Sequence, residues 1–530
     1  MAKLTSLHFA CSIYMRYSFL LLVCLFIWAN LTAQTVTGPQ HEKFAVRIVA
    51  DKLSDPWEVI YGPDNYLWVT EAHGYRVSRI NPADGKKQIL LDLNGERQFP
   101  RYDKMDKASG GKPWPQGGLM GMALHPQFLT GKPFVYLAYL YQFKGANSDG
   151  DGCAVNSSGC YFTTRLVRYR YDISQQQLSN PEIVCDSIPG SNDHNAGRLL
   201  IAPEGDKDYL YYSVGDLGAG QFNNGGRPNH AQNTKYYEGK ILRFNLEADK
   251  DAGQYDRWIP NDNPFNHTRQ NAVWSYGHRN PQGLAYAVVN GQGLIYSSEH
   301  GPYSDDEINI IERGKNYGHP LVIGYADGNY DGLAASVSNN NKLPGEWHTT
   351  YPLIGNEKRN AAKMGVALYR DPIKTLYPNS HAFLIGLFNN IKQNSRNGAE
   401  WPSEAPSSIA VYTSDAIPGW KNSLLLPTLK GNKLVRLKLN NTGRQVASDT
   451  INYFKGKVRY RDVAVSPDGK SIYLAVDSNA ISSGPSAQDP HQVSYVGCII
   501  EFRYVGQNEP SSSKPATSTI PDKAIKRKQD

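Results

Sequence analysis

Cysteine is scarce in this chain, six in 530 residues, and none stands in a CxxC with a second CxxC or an HxxxH behind it. A zinc site is therefore not indicated, and a chain this long is no disulfide-stapled miniprotein. Charge is sparse too: charged residues make up 20%, below the usual ~25%. The 56 lysines and arginines against 49 acids leave a net +7. Much of that excess lies at the ends, in Lys3 and Arg16 and in Lys514, Lys523, Lys526, Arg527 and Lys528. The body holds no dense basic run, so a nucleic-acid role finds no support. Beyond the first 33 residues no apolar run reaches the ~20 residues that a spanning helix needs, so no stable membrane insertion is expected. Amphipathic helical periodicity is nearly absent.

What is plentiful is tyrosine (34), glycine (48) and proline (32), with 40% hydrophobic residues. That is too apolar and aromatic for disorder and leans toward an all-β chain. Lys3 and Arg16 precede the apolar run Phe19–Ala29, and Ala33 offers a small residue before Gln34. Residues 1–33 read as a cleaved signal peptide and the protein as periplasmic or secreted. Of the cysteines left, Cys153 and Cys160 stand close enough in DGDGCAVNSSGC to pair. Cys185 and Cys498 either pair, if the chain ends meet, or are buried thiols. The stretch 507–530, rich in Ser, Pro and Lys, reads as a disordered polar tail, leaving 34–506 as the folded domain.

A turn-strand-acid unit recurs within it. Gly62–Asn65 leads into Tyr66–Val69, Pro203–Gly205 into Tyr209–Val214, and Pro467–Gly469 into Ile472–Val476, with Asn290–Gly293 before Leu294–Tyr296 as a weaker copy. An acid closes each run: Glu71, Asp216, Asp477 and Glu299. Each unit is a tight turn before a short β run that cannot close a core alone. Such repeats suit a β-propeller with long loop insertions. Residues 320–400 form the longest irregular stretch.

Several loop motifs occur in one order: QGGLMGMALHPQF (Gln116–Phe128), SNDHNAGRL (Ser191–Leu199), GKILRFNL (Gly239–Leu246), YGHRNPQGLAY (Tyr276–Tyr286), EHGPYSDDEINII (Glu299–Ile311), GKNYGHP (Gly314–Pro320), LLPTLK (Leu425–Lys430) and RYRDVAVSPDG (Arg459–Gly469). By these motifs the chain resembles the soluble pyrroloquinoline-quinone (PQQ) dependent glucose dehydrogenases of the glucose/sorbosone dehydrogenase family. The resemblance runs from about Trp57 to Tyr504 and is weakest in 320–400. It implies a six-bladed propeller with four-stranded antiparallel blades.

PQQ is a tricarboxylate with an ortho-quinone, so its pocket needs cations and a Lewis acid. Lys430, Arg459 and Arg461 match the family's carboxylate-binding positions, and the two arginines, two apart on a strand, share a face. Arg279 and Asn280 match positions beside the quinone, and Trp401 and Ser403 match stacking and hydrogen-bonding positions. Gly301 and Pro302 match calcium ligands through their carbonyls. A second calcium cluster is implied by Glu307, Tyr317, Tyr325 and Asp327, with Ile323 by its backbone. His194 matches the general base, with Asp193 and Gln116 orienting the sugar; a base titrating near neutrality suits removal of a hydroxyl proton. His125, His278 and His300 read as structural. DGDG at 149–152 is no EF-hand, because the twelfth position is Cys160 rather than Glu. The glycines of QGGLMG do not fit a nicotinamide fingerprint.

The resemblance implies an exported quinoprotein that oxidises an aldose at C1 to the lactone, with an external electron acceptor and a homodimeric assembly. The family's aromatic, cysteine-bearing capping segment is replaced here by Arg396–Ser403, with Gly398 where an aromatic is expected. PQQ is thereby better implied than glucose. The alternatives are an aldehyde or sorbosone-type dehydrogenase with the same cofactor, and a cofactor-free binding propeller; the latter would be expected to lose His194 or the Lys/Arg set.

Overall fold

The computed structural model describes residues 34–98, 116–144, 161–221, 224–250, 256–266, 270–395, 399–447, 450–477, 493–507 and 519–520. The proposed signal peptide, Cys153, Cys160, the DGDG loop and Gly398 lie outside the described residues.

The strands assemble into six antiparallel sheets, the blades of a six-bladed β-propeller. Four of the tight turns read from the sequence join the first strand of a blade to its second. In blade 1 that hairpin is Pro56–Tyr61 with Leu67–Glu71; in blade 3, Leu199–Glu204 with Lys207–Val214. In blade 4 it is Pro281–Val289 with Gln292–Glu299, and in blade 6 Tyr460–Val465 with Ser471–Val476. Blades 2 and 5 open with Leu119–Leu124 and Ala410–Tyr412. These six first strands touch neighbour to neighbour in a closed ring around the axis. Blade 6 closes the ring by joining the chain ends. The strand Glu42–Ala50 pairs with Ile499–Gln507, placing Phe44 opposite Tyr504 and Val46 opposite Phe502. Thr35–Thr37 adds a fifth strand to that blade alone.

Each blade buries its faces against its neighbours, so every blade interface carries its own apolar core. Trp68, Tyr75, Leu137 and Tyr169 fill the interface of blades 1 and 2; Tyr412, Trp420, Phe454 and Phe502 fill that of blades 5 and 6. On the axis, Arg198 ties the ring together. Its Nη1 lies 2.6 Å from Glu58 Oε1 and 3.1 Å from Asp462 Oδ1, in blades 1 and 6. Its Nε donates to Gln282 O at 2.9 Å and its Nη2 to Ser407 O at 3.0 Å, in blade 4 and just before blade 5. The guanidinium also lies over Trp57, 4.3 Å from the ring centre.

Among the described residues two helices interrupt the β pattern, Glu357–Met364 and His381–Asn394, both inside the stretch read as irregular. Asn356 and Ser380 cap them by accepting from the backbone N–H groups of Arg359 and Phe383. The second buries Leu384, Leu387, Phe388 and Ile391, spaced as one helical face. Its core is not the propeller's: these side chains pack with Tyr303, Tyr330, Trp347 and Tyr351. Thr519 and Ile520, the described residues of the stretch read as a polar tail beyond Gln507, lie against the segment between blades 5 and 6, with Ile520 buried and its N–H donating to Lys455 O at 2.9 Å. Cys185 and Cys498 lie in blades 2 and 6 and are not joined to one another.

Candidate active site

The four repeat acids share one task. Each stands at the end of its blade's second strand and grips the segment that enters the first strand of the same blade. Glu71 accepts from Ser54 N at 2.9 Å. Asp216 takes His194, Glu299 takes His278 and the Arg279 N–H, and Asp477 takes Arg459 and Arg461. In blades 3, 4 and 6 the acids therefore fix the groups the sequence marks as chemical, at one end of the propeller.

His194 sits in a tight loop, with φ of 48° and Ala196 at 54°, left-handed conformations that cost free energy in non-glycine residues. The Asn195 side chain holds that loop, accepting from Ser191 N at 2.8 Å and donating to Ser191 O and Gln116 O at 2.7 Å each. Beneath it Gly215 is obligatory, because a Cβ there would stand 2.0 Å from His194 O.

His194 Nδ1 donates to Asp216 Oδ1 at 2.7 Å. Burial alone would push the Asp216 carboxyl up, but His194 and His319 beside it hold it well below the usual carboxylate range. An ionised Asp216 accepts only, which assigns the proton to Nδ1 and leaves the lone pair on Nε2. That nitrogen faces the Gln221 amide at 3.0 Å, and the same amide donates to Asp193 Oδ2 at 2.8 Å. Gln116 Nε2 reaches Asp193 Oδ1 at 3.4 Å. The expected trio of His194, Asp193 and Gln116 is thus together.

Arg279 bridges to the next blade. Its Nη2 donates to Gln221 Oε1 at 3.0 Å, and its Nη1 to Gly301 O at 2.9 Å and His300 O at 3.2 Å. Asn280 accepts from Ala196 N at 3.2 Å. The Gly301 turn needs its glycine, since a Cβ would meet Ser304 O at 1.8 Å. Asp306 anchors the turn from below: Oδ1 accepts from Gly301 N at 3.0 Å, and Oδ2 from Ser403 Oγ at 2.7 Å and Glu404 N at 2.8 Å. Burial pushes that carboxyl up to about 6. Ser403 is therefore bound to the turn.

Trp401 packs edge-on to Tyr303, with ring centres 4.9 Å apart, and its carbonyl accepts from Lys430 Nζ at 2.5 Å. Arg459 and Arg461 do share a face, since both bond Asp477, at 2.9 and 2.8 Å. Arg461 Nη1 also donates to Gln282 Oε1 at 2.8 Å, linking blade 6 to blade 4. His278 and His300 are satisfied by Ser275, Glu299 and Pro406, and His125 accepts from Gln127 N, as structural histidines would be.

The expected second calcium set is only partly gathered. Glu307 accepts from Gly324 N at 2.9 Å, next to Ile323. Tyr317 instead donates its hydroxyl to Ile310 O at 2.5 Å and stacks on His278. The Ile323 N–H goes to Glu357 at 2.9 Å, an acid the motifs did not mark; burial pushes it up to about 7. Asp327 Oδ1 caps Asn329 N at 3.1 Å. Among the described residues no three His, Cys, Asp or Glu side chains are arranged to hold a metal ion.

A quinone tricarboxylate fits the residues present. Arg279 Nε and Asn280 Nδ2 are buried donors without a hydrogen-bond partner. Lys430 and the Arg459–Arg461 pair add cations nearby in the ring order. Missed by the sequence reading were Gln221, His319 and Tyr351; Asp216 was visible as a repeat acid, but not as the partner of His194.

Known proteins agree with this architecture. The family model described as glucose/sorbosone dehydrogenase matches residues 53–370 and 393–482. Quinoprotein glucose dehydrogenase B of Acinetobacter calcoaceticus is 32% identical over 498 residues, covering 89% of this chain and 94% of that protein. Aldose sugar dehydrogenase YliI of Escherichia coli K12 is 26% identical over 439 residues, 82% of this chain and 90% of that one. The solved PQQ-bound aldose sugar dehydrogenase of Streptomyces coelicolor superimposes with a TM-score of 0.54 at 24% identity, over 87% of this chain and 98% of that one, which speaks to the fold. A match over most of the chain, with the site loops inside it, places this protein in the glucose/sorbosone dehydrogenase family.

Proposed function

We propose that this chain is an exported PQQ- and calcium-dependent dehydrogenase that oxidises an aldose at C1 to its lactone. The observation that carries the reading is His194: Nδ1 is committed to Asp216, and Nε2 presents its lone pair beside Asp193 and Arg279's neighbour Gln221. The Gln221 amide occupies, at 3.0 Å from Nε2, the place a sugar hydroxyl would take. With PQQ bound as the two-electron acceptor for the C1 hydride, His194 Nε2 would accept the hydroxyl proton and Asp216 would stabilise the imidazolium that forms. Asp193 and Gln116 accept and donate hydrogen bonds to neighbouring hydroxyls, fixing which one meets His194.

Lys430, Arg459 and Arg461 would bind the cofactor's carboxylates and Trp401 its ring face. Asp477, between the two arginines, keeps both guanidinium planes fixed. PQQ held there would supply the two-electron acceptor, and calcium on the Gly301 and Pro302 carbonyls its Lewis acid. Arg279 Nη1 donates to Gly301 O in this structure, and with the cofactor bound its guanidinium would supply positive charge beside the acceptor. Glu307 and Asp327, with the Ile323, Tyr317 and Tyr325 backbone region, are the residues proposed for a second calcium ion.

The test is reconstitution. Apoprotein given PQQ and calcium should lose its oxidised-quinone absorbance when an aldose is added, and either component alone should give none of this. Rapid sugar oxidation in chelator without PQQ would refute the reading. Reduction by aldehydes but not aldoses would favour the sorbosone-type alternative.

A further inference from the structure

We propose that Thr349, Thr350 and Tyr351 are positioning residues for His194, gripping from behind both groups that hold its imidazole; the proposal rests on His194 being the base. The triplet belongs to the long insertion of blade 4, yet it reaches blade 3. Tyr351 donates its hydroxyl to Asp216 Oδ2 at 2.6 Å, and His319 Nε2 meets the same oxygen at 2.9 Å. With Oδ2 filled, Oδ1 is left for His194 Nδ1 and the Gly218 N–H at 3.0 Å. A carboxylate so loaded on both oxygens cannot rotate away from the imidazole, and the partner on Nδ1 decides the tautomer.

The other side of the imidazole is Gln221, and its loop is clamped by the same triplet. Thr349 Oγ1 donates to Gly220 O at 2.6 Å, and Thr350 Oγ1 to Gly225 O at 3.0 Å and Arg227 O at 2.8 Å. Gly220 lies flat on the Tyr351 ring, where a Cβ would come within 2.5 Å. Three consecutive side chains therefore set both Asp216 and Gln221. Helix His381–Asn394 belongs to the same body as Tyr351, which shares a core with Leu384 and Phe388. An insertion remote in sequence thus decides where the base points.

The test compares Tyr351→Phe with Tyr296→Phe, which removes a buried hydroxyl bonded to Gly443 O in the core between blades 4 and 5. In ¹⁵N-labelled apoprotein, Tyr351→Phe should move the His194 ring nitrogens away from the Nδ1–H pattern of the parent, and Tyr296→Phe should not. In PQQ-loaded protein the quinone-reduction rate at saturating sugar should fall roughly tenfold, as it does when a supporting hydrogen bond behind a ligand is lost, with KM and PQQ affinity unchanged. Thr350→Val, which spares Asp216, should lower the same rate through Gln221 and serves if Tyr351→Phe does not fold. His194 signals and rates per folded molecule equal to the parent in both variants would overturn the proposal. A parent inert to every sugar would instead refute the dehydrogenase reading, while the apoprotein spectra would still decide the role of Tyr351.

Discussion

At the scale of single residues the site separates holding from reacting. In the proposed reading Lys430 would hold the cofactor, and His194 would meet the substrate. Lys430→Ala should therefore raise the PQQ dissociation constant by about one to two decades, the loss of a charge-assisted bond of roughly 1.5–3 kcal/mol, with turnover at saturating PQQ little changed. His194→Ala should bind PQQ normally and reduce it 10²–10⁴-fold more slowly, roughly the value of a general base. Cofactor titration and stopped-flow absorbance distinguish the two; a fast His194→Ala enzyme would mean another base. Arg459 is a poorer probe of affinity, because it is buried against Asp477 and its loss also disturbs the acid that holds Arg461.

Asp216 also carries stability. Its carboxyl is held well below the ordinary range, so the folded state releases its proton more readily than the unfolded chain. The stabilisation is full above the unfolded value, about 4, and is lost as pH falls through the lower folded one. Asp216→Asn should cost about 3–5 kcal/mol at pH 7, as breaking a buried pair does. The gap from the parent should narrow only below about pH 4. Urea unfolding at pH 7 and pH 3 measures it, and a gap that closes already at pH 6 would contradict the assignment.

Among the elements, the helix His381–Asn394 is the wedge under the blade 4 insertion. Phe388 meets the rings of Tyr303 and Trp347 edge-on, at 5.2 and 5.1 Å. Phe388→Ala should remove about 3–5 kcal/mol, locally rather than from the propeller. Limited proteolysis should then cut within 320–400 while the blades survive; cleavage spread through the blades would show that the insertion is not a separate body. The helices had a readable signal. Ser380 as a cap followed by Leu384, Leu387, Phe388 and Ile391 is a helical pattern, hidden because the surrounding Asn, Gly and Lys dominate the composition of the stretch. The blade hairpins were legible for the opposite reason: turn, strand and acid are contiguous, so local rules specify them.

Across the whole molecule, Arg198 is where the ring is made one object. It joins blade 3 to blades 1 and 6 by ion pairs and to Gln282 and Ser407 by carbonyls. Arg198→Met would leave Glu58 and Asp462 buried without their cation, a loss of about 3–5 kcal/mol. A lower thermal midpoint, with activity failing together with folding, is expected; a midpoint equal to the parent's would show the hub to be incidental.

The β class, the turn-strand-acid repeat and the order of the site motifs are legible in the chain itself. Those properties are local: a turn residue, a period of two, an acid at a strand end. It also placed Asp193, His194 and Asn195 in one loop. What His194 faces is set by residues distant in the chain. Tyr351 lies 135 residues from Asp216 and meets it because blade 4's insertion folds back over blade 3. The Tyr317 ring finds its partners in the same way, stacked on His278 with its hydroxyl on the Ile310 carbonyl. Partners of that kind are chosen by ring closure and by the need to satisfy buried polar groups, and neither leaves a period in the chain.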